Sequence, residues 1–388
     1  MMKVTFVSNF LNHHQIPLCE ELARKSDFSF IACEDMPENL KAFRGNAENA
    51  PYLFSYCGNV DRLPQVETML RESDVVIFGS CPHSLIVLRA ETGKLTYLYS
   101  ERFFKKGVWR RWVPRTHRQV AKRALDFKNR NFYVLCASAY TAYDLTLCGF
   151  PAEKCFRWGY FPAVKSYDPD LLIQKKHPEK NRLLWAGRFL NWKRSADALK
   201  VAKFLKERGY SFHLTMIGTG PEEARLKQLI RKWNLSACVN LPGAMPTEKV
   251  REYMEEANIY LFTSNFYEGW GAVLNEAMNS GCAVVAAHSI GSVPFLVKQE
   301  ENGMIYPFGK QKNLNHAVAR LLEHPEEQEL WGRCSYLRLK QKWNATVAVE
   351  RLLTLSNALQ NHQDTPFHDD EIASPAPIIN NHWMTDKP

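Results

Sequence analysis

The feature that most constrains the fold is an alternation of short β-rich runs with helical patterns, which restarts near the middle of the chain. In the first half, β-rich runs at residues 3–7, 74–78, 95–99 and 132–135 are separated by helical patterns such as 117–125. Strands separated by helices predict βαβ units, in which the strands are parallel. Two successive series of such units predict an α/β protein with two Rossmann-like, doubly wound parallel-sheet domains.

The second series of units is more regular than the first. It begins with a predicted strand at residues 182–186, a helix at 196–208 and a strand at 212–217. The helix predicted over 221–233 has proline at its favoured first position. Further strands are predicted at residues 239–241, 259–263, 283–287 and 304–306, and further helices at 247–256, 271–280 and 313–322.

The length of 388 residues also indicates two domains, at roughly 100–200 residues each. A polar, proline-containing stretch at residues 162–181 predicts the boundary, with an N-terminal domain over 1–165 and a C-terminal domain over 166–345. A further helix is predicted over 346–360. Residues 361–388 hold four prolines, five acids and one lysine, which predicts a disordered acidic tail.

The formal net charge of +9 is concentrated in one segment. Residues 102–130 hold eleven Lys or Arg and a single acid, Asp126. This distribution argues against a uniformly basic nucleic-acid coat and favours one local basic surface.

Part of this segment interleaves aromatic rings with cations, as expected of contact with anionic lipid. Nucleic acid can use the same chemistry but is the least favoured partner, and a merely solvated basic helix is the other alternative. The candidate membrane-contact residues are Phe103, Phe104, Lys105, Lys106, Trp109, Arg110, Arg111 and Trp112.

The remaining composition indicates a cytoplasmic protein. None of the ten cysteines lies in a CxxC pair or in a Cys/His cluster with zinc-ligand spacing, so we expect free, mostly buried thiols in a reducing compartment. No run of about 18 apolar residues is present to span a membrane. The first residues read as a strand and are too short for a signal peptide.

The densest group of chemically useful residues lies at 262–278, where a predicted strand, a loop with two glycines and a helix follow one another. The free amides at a helix start attract anions, and glycines let an anion approach the backbone. Glu268 lies in the loop and Glu276 about one turn into the helix. Carboxylates accept hydrogen bonds from vicinal hydroxyls, so the pattern suits a sugar nucleotide.

Two other predicted strands end in loops of similar character. Arg188 and Lys193 follow the strand at 182–186, and ligands bind at the carboxyl ends of strands in open α/β sheets. Together these cations can neutralise a diphosphate and stabilise it as a leaving group. Gly218 lies in a glycine turn after the next strand, a feature that is common in α/β domains and is more often structural.

These segments together resemble the retaining glycosyltransferases of family 4, which have the GT-B fold. The resemblance is carried by Glu268 and Glu276 with seven residues between them, by Arg188 and Lys193, and by the glycine turns at 218–221 and 242–245. It extends over about residues 180–325 and only loosely over the N-terminal domain.

The resemblance implies two Rossmann-like domains facing a cleft, with catalysis by Glu268, Arg188 and Lys193. Glu268 would contact the donor sugar, and the two cations would hold the diphosphate. No metal and no other cofactor is needed in that family. The donor-binding residues that the resemblance implies are Glu276 at the ribose, with Gly269, Trp270, Gly271, Gly218, Gly243 and Met245.

The N-terminal domain supplies candidates for the acceptor side. Glu101 follows a predicted strand and is the candidate for orienting the acceptor hydroxyl, unless it belongs only to a surface charge cluster. Asn12, His13 and His14 are further candidates, although a loop histidine often only caps or packs. They stand where the family usually has a glycine-rich loop.

The sequence thus predicts a retaining, metal-independent glycosyltransferase that moves a sugar from a nucleoside diphosphate sugar to a glycan or lipid-linked acceptor, as in surface polysaccharide synthesis. We expect it in the cytoplasm, docked on the inner face of the cell membrane. Two alternatives remain: a GT-B-fold epimerase acting on the sugar nucleotide alone, and a non-catalytic sugar-nucleotide-binding or assembly protein.

Overall fold

A computed structural model describes residues 1–37, 49–176 and 180–384 of the chain. The chain divides into two units. The first unit comprises Met1–Ala163 and Trp343–Asn380, and the second comprises Val164–Lys342 and Asn381–Pro388. Each unit is built on its own parallel sheet, which confirms the predicted α/β fold class.

In the described part of the first unit, seven strands form one sheet with the order β3-β2-β1-β4-β5-β6-β7, and every neighbouring pair is parallel. The strands are β1 Lys3–Ser8, β2 Asp27–Ala32, β3 Leu53–Ser55, β4 Val75–Phe78, β5 Thr96–Ser100, β6 Phe132–Cys136 and β7 Cys155–Arg157. The helices between them are α1 Ile16–Lys25, α2 Leu63–Glu72, α3 His83–Glu91, α4 Pro114–Arg123 and α5 Thr141–Thr146.

In the described part of the second unit, six strands form a parallel sheet with the order β10-β9-β8-β11-β12-β13. The strands are β8 Arg182–Ala186, β9 His213–Ile217, β10 Val239–Gly243, β11 Ile259–Phe262, β12 Ala283–Ala287 and β13 Gly303–Tyr306. The helices are α6 Pro169–Gln174, α7 Ser195–Glu207, α8 Glu223–Lys232, α9 Thr247–Glu256, α10 Val273–Asn279, α11 Val293–Leu296, α12 Gln311–Glu323 and α13 Pro325–Gln341.

The strand order of the second unit reverses between β8 and β11. The loops that follow these two strands therefore leave the sheet in opposite directions and flank a crevice, which is where doubly wound sheets bind ligands. The loop after β8 carries Arg188 and Lys193, and the loop after β11 carries Glu268.

The central strands consist almost entirely of apolar residues. β4, β11 and β12 are buried at every position. Continuous apolar runs are typical of parallel strands that helices cover on both faces. β2, β3 and β7 were absent from the predicted runs, because β2 alternates with polar residues and the other two span only three residues each.

The helix predicted after the second domain is α14 Ala345–Gln360, and it packs against α1 within the first unit. Asn344 caps its start, since the side chain accepts a hydrogen bond from the backbone N–H of Val347. The chain therefore returns to its N-terminal unit after completing the second sheet.

The expectation of a disordered tail over 361–388 is wrong for residues 369–376, which pack on the first unit. Ala373 and Ser374 form backbone hydrogen bonds of 2.8 Å with Arg157 at the end of β7, and Pro375 forms an antiparallel bridge to Phe156. Ile372 is fully buried. Two of the five acids that suggested disorder are ion-paired: Arg157 contacts Asp370 at 2.6 Å, and Arg351 contacts Asp369 at 2.5 Å.

All ten cysteines are free thiols, five of them buried. Among the described residues, no helix combines the length and the apolar character that crossing a bilayer requires.

Candidate active site

The loops that follow β8, β9 and β10 are interlocked through their backbones. The N–H of Gly187 donates to the carbonyl of Ile217 at 2.9 Å, and the N–H of Gly218 donates to Gly243 at the same distance. A Cβ at Gly218 would lie 1.9 Å from the carbonyl oxygen of Gly187, and φ there is +140°. Gly218 is therefore required for the close approach of the loop that carries Arg188, as the structural interpretation predicted.

Glu268 is held by two side chains of the second unit. Its Oε2 lies 2.5 Å from the Lys193 ammonium and accepts a hydrogen bond of 2.8 Å from the Ser264 hydroxyl. The side chains of Lys193 and Glu268 are only 14% and 9% exposed, so the pair is shielded from water. In the described part of the chain Oε1 has no hydrogen-bond partner, which leaves one carboxylate oxygen available to a ligand.

The loop backbones on either side of this ion pair are tied together. Trp185 of β8 donates its indole N–H to the Thr263 hydroxyl at 2.9 Å, and that hydroxyl donates to the carbonyl of Lys193 at 2.8 Å. The N–H of Asn265 donates to the carbonyl of Trp192 at 2.9 Å. These bonds fix the positions from which Lys193 and Glu268 meet.

The glycines and tryptophan after Glu268 have structural reasons for their identity. Gly271 has φ of +90°, and a Cβ there would lie 2.5 Å from the Phe262 ring and 3.1 Å from Cγ of Glu268. Trp270 is fully buried, and its indole N–H donates to Asn275 at 2.9 Å. The indole of Trp270 therefore belongs to the core. Gly269 is also buried, so a ligand could contact these two positions only through backbone atoms.

Glu276 lies on α10, one turn after the loop, and is partly exposed. Burial raises the pKa of Glu276, while the nearby Arg251 acts in the opposite direction. Among the described residues its carboxylate has no hydrogen-bond partner. Burial, then the charges of Glu276 and Glu268, raise the pKa of Tyr260, whose ring lies in the core. Both acids therefore border the same region.

The other donor-side candidates are more exposed. Arg188 is exposed, and no ion pair of its side chain is found in the described residues. Gly243 has φ of +86°, and open space surrounds the position of a Cβ. Met245 is partly exposed in the turn that follows β10.

In the first unit, Glu101 lies directly after β5 and is bound on both oxygens. Its Oε1 accepts a hydrogen bond of 2.8 Å from the Tyr160 hydroxyl, and its Oε2 pairs with the Lys105 ammonium. The Tyr160 ring also packs at 6.0 Å from Tyr99 and from His14. Glu101 is therefore a held carboxylate, and its contact with Lys105 agrees with part of the charge-cluster interpretation.

The histidines follow β1, and Asn12 shapes their turn by accepting a hydrogen bond of 3.0 Å from the N–H of His14. The rings of His13 and His14 lie 3.7 Å apart. Burial and the neighbouring His13 lower the pKa of His14 to about 3, so its imidazole is neutral at pH 7. Its Nδ1 is buried and has no hydrogen-bond partner among the residues that the structure describes. The fold thus brings His14, Tyr160 and Glu101 together at one end of the sheet.

The basic segment is only partly a surface. Arg102 and Asp144 form a fully buried ion pair of 2.9 Å, and Asp144 also accepts from the N–H of Phe104. Phe104 is fully buried and Phe103 packs against the same core, so the assignment of Phe104 to membrane contact is wrong. The apolar ring fills the core because Asp144 fixes the backbone beside it.

The remaining aromatic residues of the segment do face solvent. Trp109 is 60% exposed and Trp112 is 76% exposed. The Arg110 guanidinium lies 5.6 Å from the ring centroid of Trp109, and that of Arg111 lies 4.8 Å from Trp112. Five further cations of the predicted segment are exposed: Lys106, Arg115, Arg118, Lys122 and Arg130.

Sequence reasoning missed two residues that contact the predicted carboxylates. Ser264 bonds Glu268 from within the same loop, and its proximity in sequence was a usable signal. Tyr160 bonds Glu101 across 59 residues of sequence and lies outside any recognisable motif.

Comparison with known proteins agrees with this geometry. The sequence profile of the family described as glycosyl transferases group 1 matches residues 170–338. The amylovoran biosynthesis glycosyltransferase AmsK of Erwinia amylovora is 27% identical over 288 residues, which are 72% of this chain and 68% of AmsK. The WcaL protein of Escherichia coli K12, named for colanic acid biosynthesis, is 32% identical over 127 residues, which are 31% of each protein.

Solved structures resemble the whole chain. HepE of Anabaena in complex with UDP has a TM-score of 0.68 at 16% identity, over 93% of this chain and 100% of that one. TarM has a TM-score of 0.67 at 12% identity, over 92% and 99% of the two chains. At these identities the likeness shows the fold, which is GT-B. The chain therefore has a GT-B fold, is similar over residues 170–338 to the glycosyl transferases group 1, and is a glycosyltransferase.

Proposed function

We propose that this glycosyltransferase is retaining and metal-independent, and that it transfers a sugar from a nucleoside diphosphate sugar to a glycan or lipid-linked acceptor in polysaccharide synthesis. The observation that supports this most is the shielded Glu268 carboxylate, bound by Lys193 and Ser264 at the strand-order reversal. The exposed Arg188 lies in the same loop as Lys193. The printed names of AmsK and WcaL support the polysaccharide context, and the UDP complex of HepE supports a nucleotide donor.

In the proposed reaction, the bond between the anomeric carbon and the diphosphate oxygen breaks as the acceptor oxygen attacks from the same face. The acceptor proton passes to the leaving diphosphate, so no protein nucleophile is needed. Glu268 has one unbonded oxygen and places negative charge near the developing oxocarbenium ion. A covalent intermediate on Glu268 is the less favoured route.

The leaving diphosphate is stabilised in this proposal by two cations. Lys193 has three donors, and only one of them is needed for Glu268, so the ammonium can bridge the carboxylate and a phosphate oxygen. Arg188 offers a planar fork suited to phosphate. With this positive charge supplied by the chain, a divalent metal is not required for departure of the leaving group.

Thermal shift with a panel of UDP- and GDP-linked sugars tests the donor assignment. A donor at about 100 times its dissociation constant should stabilise the protein by about 2.7 kcal/mol. Arg188→Ala should lose that shift with an unchanged melting temperature of the free protein, because Arg188 is exposed. Arg231→Ala, an exposed arginine on α8, is the matched control and should keep it. Failure of every sugar nucleotide to stabilise the chain would contradict the proposal.

Turnover of the stabilising donor tests the reaction. NMR of the product should show the anomeric configuration of the donor, and EDTA should leave the rate unchanged. An inverted product would contradict retention, and loss of activity in EDTA would contradict metal independence. Incubation with donor alone should give at most slow hydrolysis, since an altered sugar would identify an epimerase.

We further propose that the face formed by Trp109, Trp112 and the exposed cations around them docks on anionic lipid, on the cytoplasmic side of the membrane. Aromatic rings favour the headgroup level, and each nearby cation adds about 1 kcal/mol of attraction to an anionic surface. Vesicles with phosphatidylserine should therefore bind the protein at low salt and release it at high salt. Trp109→Ala/Trp112→Ala should weaken this binding, and equal binding to neutral vesicles would contradict the proposal.

A further inference from the structure

The end of the chain changes unit between Asn380 and Asn381. Upstream, residues 373–376 are fixed to the first unit by backbone hydrogen bonds to Cys155 and Arg157. Downstream, Asn381 and Trp383 both contact His288, a buried side chain of the second unit. The last described residues are therefore docked on the sheet that carries the donor-side candidates.

His288 follows β12 and is only 3% exposed. Its Nδ1 accepts a hydrogen bond of 2.8 Å from the N–H of Phe308. Its Nε2 lies 3.0 Å from the carbonyl oxygen of Asn381 and must donate to it, so the two contacts together define the neutral tautomer with the proton on Nε2. Burial lowers the pKa of His288, which keeps the ring in this neutral form at pH 7. The Trp383 ring packs against the same imidazole at 6.1 Å.

His288 also contacts the loop that carries Glu268. The ring of Phe266, two residues before Glu268, lies edge-on to the imidazole at 5.5 Å and 89°. Next to His288, the Ser289 hydroxyl donates to the carbonyl of Ser264 at 2.8 Å, the residue whose own hydroxyl binds Glu268. His288 and its neighbour thus support the loop at two points.

We propose that the C-terminal residues 381–383 are a positioning element of the active site, acting through His288 and Phe266 on the loop that carries Glu268. The contacts form one continuous path: Asn381 and Trp383 to His288, His288 to Phe266, and Phe266 to the loop backbone. The kinetic part of this inference rests on the proposed role of Glu268, whereas the ordering of the loop does not. None of these residues touches the reacting atoms, so their effect is on the geometry of Glu268.

The test compares the full chain with a chain that ends at Asn380, by hydrogen exchange and by steady-state kinetics. Amide exchange in residues 263–271 should be faster in the shortened chain, with residues 343–380 unchanged. The kcat for transfer should fall about tenfold with a smaller change in the donor KM, because a displaced catalytic group costs rate more than binding. Unchanged exchange in the loop would overturn the proposal, and so would faster exchange with unaltered kcat.

Single substitutions in the full chain test the same contacts and can be used if the shortened chain folds poorly. Trp383→Ala should reproduce the faster loop exchange, whereas Leu330→Ala, at an exposed leucine of α13, should not. His288→Ala should lower kcat, and His288→Gln should restore most of it, because a glutamine amide can both accept from Phe308 and donate to Asn381. Equal losses in the alanine and glutamine variants would overturn the role of the two hydrogen bonds.

The outcome also separates this inference from the proposed function. Loop exchange is measured on the free protein and needs no donor. If no sugar nucleotide binds but the loop loosens on truncation, the proposed function fails and the docking of residues 381–383 stands. If donors turn over but truncation leaves the loop exchange unchanged, the proposed function stands and the role of residues 381–383 fails.

Discussion

The two units carry their candidate carboxylates at the same end of similar sheets but hold them differently. In the second unit, Glu268 shares one oxygen between Lys193 and Ser264 and keeps the other open. In the first unit, Glu101 has both oxygens bonded, to Tyr160 and to Lys105. In the second unit, a ligand can therefore bind the open oxygen of Glu268. In the first unit, both oxygens of Glu101 already have a partner within the protein.

The two units also differ in how far apart in sequence their candidate site residues lie. Glu268, Ser264 and Phe266 belong to one loop, and Lys193 is tied to it by backbone bonds. In the first unit, Glu101, Tyr160 and His14 come from three distant segments. A nucleoside diphosphate is common to many sugar donors, so a single contiguous loop suits it. An acceptor varies more in shape, and separate segments can change independently to fit it.

The largest expected effect is a loss of unfolding free energy when a methyl group is added to a glycine in a loop of each unit. Gly218→Ala places a methyl group 1.9 Å from the Gly187 carbonyl oxygen, and backbone cannot easily move, so we expect a loss of about 3 kcal/mol or more in unfolding free energy. In the first unit, the Cβ of Gly79→Ala meets the Ser8 hydroxyl at 2.6 Å, which can rotate away, and Cβ of Ser8 at 3.1 Å. No backbone atom lies as close, so the variant should cost about 1 kcal/mol. Urea denaturation measures both.

A third glycine variant separates steric overlap from backbone strain. Gly243→Ala introduces a side chain at φ of +86° into open space, so it carries strain without a clash and should cost about 1–2 kcal/mol. If Gly243→Ala were as damaging as Gly218→Ala, the interlocking of the loops would not explain the requirement for glycine at 218.

The second effect concerns the two carboxylates. Glu268→Gln should lower transfer at least about 100-fold, which corresponds to about 2.7 kcal/mol of lost transition-state stabilisation. It should lower slow donor hydrolysis similarly, because the charge acts on the donor sugar. Glu101→Gln should lower transfer only about tenfold and leave hydrolysis unchanged, because it removes acceptor orientation alone. Rates with and without acceptor measure the difference, and equal losses of hydrolysis would remove the distinction between the units.

Much of the second unit could be predicted from sequence, because its information is local. A strand, a glycine-containing loop and a helix are contiguous at 262–278, so the sequence alone places Glu268 and Glu276 as neighbouring candidates. The pairing of Glu268 with Lys193, 75 residues away, depends on the adjacency of β8 and β11 in the sheet and could not be read from spacing.

The errors arose where long-range packing overrides local composition. Phe104 lies in a basic, aromatic stretch but is buried because Asp144 binds its backbone N–H and pairs with Arg102. Residues 369–376 of the acidic tail pack on the first unit, where Arg157 and Arg351 pair with Asp370 and Asp369. In both places, a distant partner neutralises the charge that had suggested exposure or disorder.

The third effect concerns Glu276→Gln, which should raise the stability of the free protein but weaken donor binding. Glu276 has a pKa raised above its ordinary value in the folded state, so the folded protein retains a proton that the unfolded chain has released. Stability is then lost as pH rises from about 4.5 through the folded pKa. Glu276→Gln should remove this loss and stabilise the free protein by about 1 kcal/mol at pH 8, with little change at pH 4.

The same variant should weaken donor binding, since Glu276 is the proposed ligand of the ribose hydroxyls. Melting temperatures across pH, with and without the donor, measure both quantities. A variant that is less stable than the parent at pH 8 would show that the carboxylate has a structural partner and is not held ready for a ligand.

The smallest effect tests whether the network in the first unit serves the acceptor. Tyr160→Phe removes the hydroxyl that donates to Glu101 at 2.8 Å, a bond worth about 1 kcal/mol. We expect the acceptor kcat/KM to fall about fivefold, with donor KM and donor hydrolysis unchanged. The matched control is Tyr97→Phe, which removes a buried hydroxyl bonded to Ser356 in the same unit. It should lower the melting temperature comparably and leave acceptor kinetics intact. If both variants changed kinetics alike, general loosening of the sheet would explain the effect, and Tyr160 would lose its role in orienting Glu101.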